Sequence, residues 1–143
     1  VFFFRLHSYL QQLNCIESLP ELCAQHPKAR LVVVDSLVFH LRQDQQDASM
    51  RRHMLVLMYQ MLTSLAKRQR VAVLVINQLT TRITKEGARL VPVSGDAWGH
   101  IPTTRLYAMA GEHGRYLQVN KSPTLPQAVT FFQITEKGVE AME

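Results

Sequence analysis

Apolar and polar positions fall into distinct rhythms along the chain, and the changes of rhythm mark the elements. Leu31-Val32-Val33-Val34 is an unbroken apolar run that ends in Asp35-Ser36. Val71 to Ile76 is a second run of this kind, and it ends in Asn77-Gln78. Short continuous runs rich in β-branched residues suit strands buried on both faces, as in a parallel sheet covered by helices. Val1 to Leu6 reads as a further short buried strand. Between it and the Asp35 strand, Leu10, Leu13, Ile16 and Leu19 recur at helical spacing, with Ser8 as the N-cap. Pro20 predicts a kink or a restart, after which Glu21 to Gln25 continues as helix into a His26-Pro27-Lys28 loop. The order strand, helix, strand predicts a parallel pair with a right-handed crossover.

Within Ser36 to Ala48, Leu37, Val38 and Phe39 are apolar, while Arg42 to Asp47 is polar without period and is expected to be an exposed loop, either functional or simply a solvated connection. Ser49 begins a long helix whose apolar face carries Met50, Met54, Leu57, Met58, Met61, Leu62 and Leu65. That Met-rich stripe is core or an interaction surface. Lys67, Arg68 and Arg70 complement the negative end of its dipole. Residues 79–99 show neither helical nor strand period, which predicts a mobile loop that orders on a partner, or a plain linker. Its basic and hydroxyl side chains suit a phosphate backbone. Thr103 to Met109, the turn Gly111 to Gly114, and Arg115 to Asn120 predict an antiparallel hairpin. Lys121 to Pro126 is a rigid loop, Ala128 to Ile134 the last strand, and Glu136-Lys137-Gly138 a turn.

Composition narrows the class. At 143 residues, 47% hydrophobic and 19% charged, the chain fits one globular domain. No apolar run reaches the roughly 18 residues of a membrane span, so no membrane partner is expected. Val1 to Phe4, broken by Arg5, is too short for a signal peptide. With no initiating Met and a strand apparently under way at Val1, the chain is expected to be a fragment of a longer one. A net charge of +5 permits an acidic partner such as nucleic acid without requiring one. Cys15 and Cys23 would stand about 12 Å apart along one helix, too far for a disulfide. They read as small buried hydrophobes in a reducing compartment, and zinc is not expected.

The chemistry gathers at the strand ends. Asp35 and Asn77-Gln78 close adjacent parallel strands at their carboxyl ends, where open α/β sheets bind ligands. Asp35 either caps the turn after its strand or holds Mg²⁺ and its water shell, as the second acidic motif does in phosphate-binding ATPases. An amide beside it would contact a phosphate or an attacking water.

The Asp35 strand end, Asn77-Gln78, the long basic loop, Gly95-Asp96-Ala97-Trp98-Gly99-His100, Thr103-Thr104-Arg105-Leu106, and Lys121-Ser122-Pro123 with Pro126 and Phe132 follow in an ordered series. The series resembles the C-terminal half of a RecA-family recombinase core, over essentially the whole chain. Leu90-Val91-Pro92, Trp98-Gly99-His100 and a lysine before Ser122-Pro123 narrow the resemblance to eukaryotic recombinase paralogues. It implies an α/β, RecA-like P-loop ATPase core fragment, with central parallel strands flanked by helices and a C-terminal antiparallel hairpin. Residues 1–143 would be the C-terminal part of a single ATPase domain.

By that resemblance Asp35 is the Mg²⁺-side carboxylate, holding the metal through water, and Gln78 the sensor of the γ-phosphate. Residues 41–49 and 79–98 match the two DNA-facing loops, with Arg42, Arg82, Lys85 and Arg89 as the cations. His100 reaches a neighbouring subunit's nucleotide, and Lys121, Ser122, Pro123 and Pro126 cap a neighbour's adenine. Bland roles compete: a structural histidine at 100, a core anchor at Trp98, a solvated charge at Lys121. Arg105 receives no role. No G-x-x-x-x-G-K-[ST] stretch occurs in these 143 residues, so the chain as given is not expected to bind ATP tightly or hydrolyse it unaided.

The implied function of the full protein is that of a DNA-dependent ATPase paralogue in homologous-recombination repair. It would use ATP and Mg²⁺, bind single-stranded and branched DNA, and join sister paralogues in a hetero-oligomer in the nucleus, with the cytoplasm a second site. The alternatives are a non-catalytic interaction module of such a complex, and another RecA-fold machine such as a ring helicase.

Overall fold

A computed structural model describes residues 1–43, 47–85, 87–93 and 101–142. The chain divides into two compact units, Val1–Ile101 and Pro102–Glu143.

The first unit is built on α1 (Tyr9–Gln25), β1 (Leu31–Asp35), α2 (Phe39–Gln43), α3 (Ala48–Gln69) and β2 (Ala72–Ile76). Ser8 caps α1 as expected, its hydroxyl accepting from the N–H of Gln11 at 3.2 Å. The Gln11 side chain reaches back to accept from the N–H of His7 at 2.8 Å, so two orphan donors of the helix start are satisfied. Pro20 neither ends nor restarts α1, which runs through it. α3 ends at Arg70, whose left-handed backbone (φ 53°) closes the helix. β1 and β2 pair in parallel from Leu31↔Ala72 to Asp35↔Ile76, with α2 and α3 as the crossover.

The core lies between α1, α3 and one face of this strand pair. Ile16, Leu19, Met58 and Leu62 are buried there, and Val32, Val34, Val73 and Val75 pack against them. The expectation of strands buried on both faces is corrected: Leu31 and Val33 are 57% and 51% exposed, and Leu74 and Ile76 are exposed too. An apolar run records that a strand can be covered on both sides; helices of this chain cover one. Val1 to Leu6 forms no strand either, and Phe3 is 87% exposed. A segment with no neighbour to share a hydrogen-bond ladder has nothing to hold it extended. Instead Phe2 tilts against the His26 ring, 4.4 Å between centroids.

Regular structure enters the described parts of two expected loops. Leu37, Val38 and Leu41 enter the core, and α2 runs on to Gln43, so the stretch read as an exposed loop begins as helix, with Arg42 and Gln43 exposed. Leu79 to Pro92, read as mobile, forms an antiparallel hairpin of β3 (Leu79–Thr84) and β4 (Gly87–Pro92). Its β-branched Thr80, Thr81, Ile83 and Val91 favour extended backbone. Gly87 turns with φ +122°, a conformation glycine adopts without strain. On α3, Met50 and Leu57 of the expected apolar stripe are exposed, while Leu55 is buried.

The second unit is a four-stranded antiparallel sheet in the order β5 (Arg105–Gly111), β6 (Gly114–Lys121), β7 (Val129–Thr135), β8 (Gly138–Ala141). The β5–β6 hairpin and its turn fall where the sequence predicts. β8 is an additional strand, returning from the Glu136-Lys137 turn. Tyr116 donates its hydroxyl toward the Met109 sulfur (3.5 Å) and packs beside Phe131, 5.8 Å between centroids.

Candidate functional site

Asp35 and Ile76 are register partners at the ends of parallel strands, so both chains leave the sheet at the same edge. Asp35 is exposed, and among the described residues no hydrogen bond or ion pair engages its carboxylate. Exposure alternates without a break from Ala72 to Thr80, so Ile76 and Gln78 lie on the open side of the chain and Asn77 on the half-buried side. In a parallel pair, partners project to the same face, which puts Asp35 on the face of Ile76.

The backbone around Gln78 is fastened at both of its polar groups. Its N–H donates to Asn77 Oδ1 at 2.9 Å, and its carbonyl accepts from the N–H of Val93 at 3.0 Å. Leu79 and Pro92 begin the hairpin ladder immediately beyond. Gln78 is thus the joint at which the parallel strands hand the chain to the β3–β4 hairpin.

Ser36 follows Asp35 through a cis peptide bond. Its carbonyl accepts from Gln12 Nε2 at 3.2 Å, and its hydroxyl accepts from the N–H of Phe39 at 3.2 Å, capping α2. Neither Gln12 nor Ser36 was among the residues that the sequence singled out. The signal for Gln12 was a polar residue in register with the buried stripe Ile16, Leu19 and Cys23.

The hairpin carries the expected basic residues. Arg82 and Arg89 are direct register partners, and Lys85 follows β3 at the turn. Arg42 lies exposed near the end of α2. In the second unit, Lys121 ends β6 opposite Arg105. Arg105 Nε donates to Asn120 Oδ1 at 2.8 Å, and its guanidinium carbon stands 5.6 Å from the Tyr107 ring centroid. Ser122 Oγ accepts from the N–H groups of Thr124 (3.3 Å) and Leu125 (3.0 Å), holding the start of the Lys121–Pro126 loop in a tight turn, with Pro123 and Pro126 exposed. His100, with Gly95 and Trp98, lies outside the described residues.

Among the described residues no cluster of three or more His, Cys, Asp or Glu forms a cation cage. A lone accessible carboxylate suits Mg²⁺, which keeps most of its water and binds through one or two carboxylates plus substrate phosphates. The cysteines are both free: Cys23 is buried, and burial raises the thiol pKa of half-buried Cys15. No helix among the described residues is long and apolar enough to cross a membrane.

A parallel pair ending in an aspartate and an Asn-Gln, helices on its covered face, and an antiparallel C-terminal sheet define a RecA-like α/β domain. The Rad51 family model matches residues 1–142. The chain belongs to the Rad51 family. It is 37% identical over 138 residues to the DNA repair protein RAD51 homolog 3 of Cricetulus griseus, covering 96% of this chain and 38% of that protein. To the protein of the same name in Dictyostelium discoideum it is 32% identical over 141 residues, covering 97% of this chain and 37% of that one. The chain therefore spans little more than a third of the length of these relatives.

Proposed function

We propose that the full-length protein acts in homologous-recombination DNA repair, as an ATP- and single-stranded-DNA-binding subunit of a nuclear hetero-oligomer of recombinase paralogues. Its relatives named as DNA repair proteins support the repair role. The observation that carries the mechanism is the pairing of Asp35 with Ile76, which puts the Asp35 carboxylate at the same sheet edge and on the same open side as Gln78, two residues beyond Ile76.

In this reading Asp35 holds water molecules of a Mg²⁺ ion bound with ATP. A Mg²⁺ ion held there would supply positive charge against the phosphates, with Asp35 as the carboxylate that holds its water. Gln78 answers to the terminal phosphate. Because its carbonyl is tied to Val93 and its chain enters β3 directly, a shift at Gln78 moves both roots of the hairpin. Arg82, Lys85 and Arg89 then engage DNA phosphates, with Arg42 supplying a further contact. Lys121, Ser122, Pro123 and Pro126 are offered to a neighbouring subunit's nucleotide. His100, outside the described residues, keeps the role of reaching a neighbour's nucleotide as a separate proposal.

The test is complementation. In cells lacking the gene, the full-length wild type should restore a homologous-recombination reporter and resistance to a DNA cross-linker, and Asp35→Asn should not. Full restoration by Asp35→Asn would favour the non-catalytic interaction module, for which the exposed partners Ile134 and Val139 of the C-terminal sheet speak.

A further inference from the structure

Gln12 is the only polar or charged residue buried in the core among the described residues, 3% exposed on the covered side of α1. A buried amide in register with the buried Ile16, Leu19 and Cys23 of the same helix is disfavoured unless its hydrogen bonds are made. Nε2 donates to the carbonyl of Ser36, while Oε1 has no partner among the described residues. The bond it does make falls on the carbonyl of Ser36, the residue that follows Asp35. Ser36 is gripped a second time, by the N–H of Phe39 on its hydroxyl. The tip of β1 is therefore tied to α1 through Gln12 and to α2 through Phe39. A methionine or leucine at position 12 would pack in the same volume and leave no orphan acceptor, so packing alone gives no reason for an amide there.

We infer that Gln12 is a positioning residue for the metal-side carboxylate: its amide clamps the Ser36 carbonyl and so fixes the direction in which Asp35 leaves the strand. The inference rests on the reading of Asp35 given above. Outer groups that orient a metal-binding side chain lower metal affinity by about 10- to 100-fold when removed. Gln12 acts through the backbone of the next residue, so the low end of that range applies.

The experiment is a Mg²⁺ titration of fluorescent-ATP binding by the full-length protein, for wild type, Gln12→Met and Asp35→Asn, beside the nucleotide affinity without metal and the melting temperature. Gln12→Met should raise the Mg²⁺ concentration for half-maximal binding about 10-fold, while metal-free nucleotide affinity stays within about twofold and melting is unchanged or raised by the lost orphan acceptor. A shift with Asp35→Asn and none with Gln12→Met would overturn the inference and leave the Asp35 reading intact. No shift with Asp35→Asn would overturn that reading instead, and this inference with it. Should Gln12→Met fail to fold, wild-type protein labelled with ¹⁵N-glutamine decides. A side-chain amide signal of Gln12 that moves on adding Mg²⁺ to the nucleotide-bound protein supports the clamp, and one that stays fixed overturns it.

Discussion

Replacing Arg82, Lys85 and Arg89 together by alanine in the full-length protein should flatten the salt dependence of single-stranded-DNA binding. Arg82 and Arg89 are direct partners across β3 and β4, and Lys85 stands at the turn that joins the strands. Partners in an antiparallel ladder have Cβ atoms about 5 Å apart and share one face, so the ribbon carries the two guanidinium groups close together. Each phosphate neutralised on a single strand contributes about 0.7 to the slope of log affinity against log salt. Three cations lost should therefore lower the slope by about 2. Between about 50 and 200 mM salt, the wild type should lose about 20-fold more affinity than the variant. Fluorescence anisotropy of a labelled oligo-dT across that range reads the slope directly. The control is Lys67, Arg68 and Arg70 changed to alanine, which removes equal charge at the end of α3. An unchanged slope in the hairpin variant, or equal flattening in the control, would refute the assignment of the hairpin to DNA.

Two further outcomes follow from the core. Leu62 is 1% exposed on α3, and Leu62→Ala should destabilise the protein by about 2–5 kcal/mol, read as a lower denaturant midpoint; a loss under about 1 kcal/mol would contradict the packing described. Burial raises the pKa of Cys15, which lowers its thiolate fraction at any pH below that pKa, so Cys15 should alkylate more slowly at pH 8 than a free thiol, the gap closing as pH rises. Alkylation at the free-thiol rate, followed by mass spectrometry, would contradict it.

What the sequence disclosed and what it hid have physical causes. β1, β2, α1 and the β5–β6 hairpin were legible because each carries one strong signal: an apolar run, a capped helical period, or alternation about a glycine turn. Burial of β1 on both faces was not decidable from Leu31 to Val34, because an apolar run does not say what covers it. The β3–β4 hairpin was hidden by polarity: nearly all its side chains are exposed, so no face carries an apolar period, and only the β-branched residues around Gly87 marked it. α2 was too short to show a period, although Leu37, Val38 and Leu41 had helical spacing. The strand-tip pairing of Asp35 with the residues before Gln78 was legible because parallel strands end at one edge. The tie from Gln12 to Ser36 needed coordinates, since those residues are separated by a helix and a strand.

The account turns on Asp35 as the metal-side carboxylate of a nucleotide site. A pulsed-EPR measurement of the full-length protein with ATP and Mn²⁺ in place of Mg²⁺, carried out with ¹³C-labelled aspartate, addresses it most directly. Coupling between Mn²⁺ and a carboxylate carbon that disappears in Asp35→Asn is the expected result. The same coupling in wild type and Asp35→Asn, or none in either when Mn²⁺-ATP is bound, would contradict it.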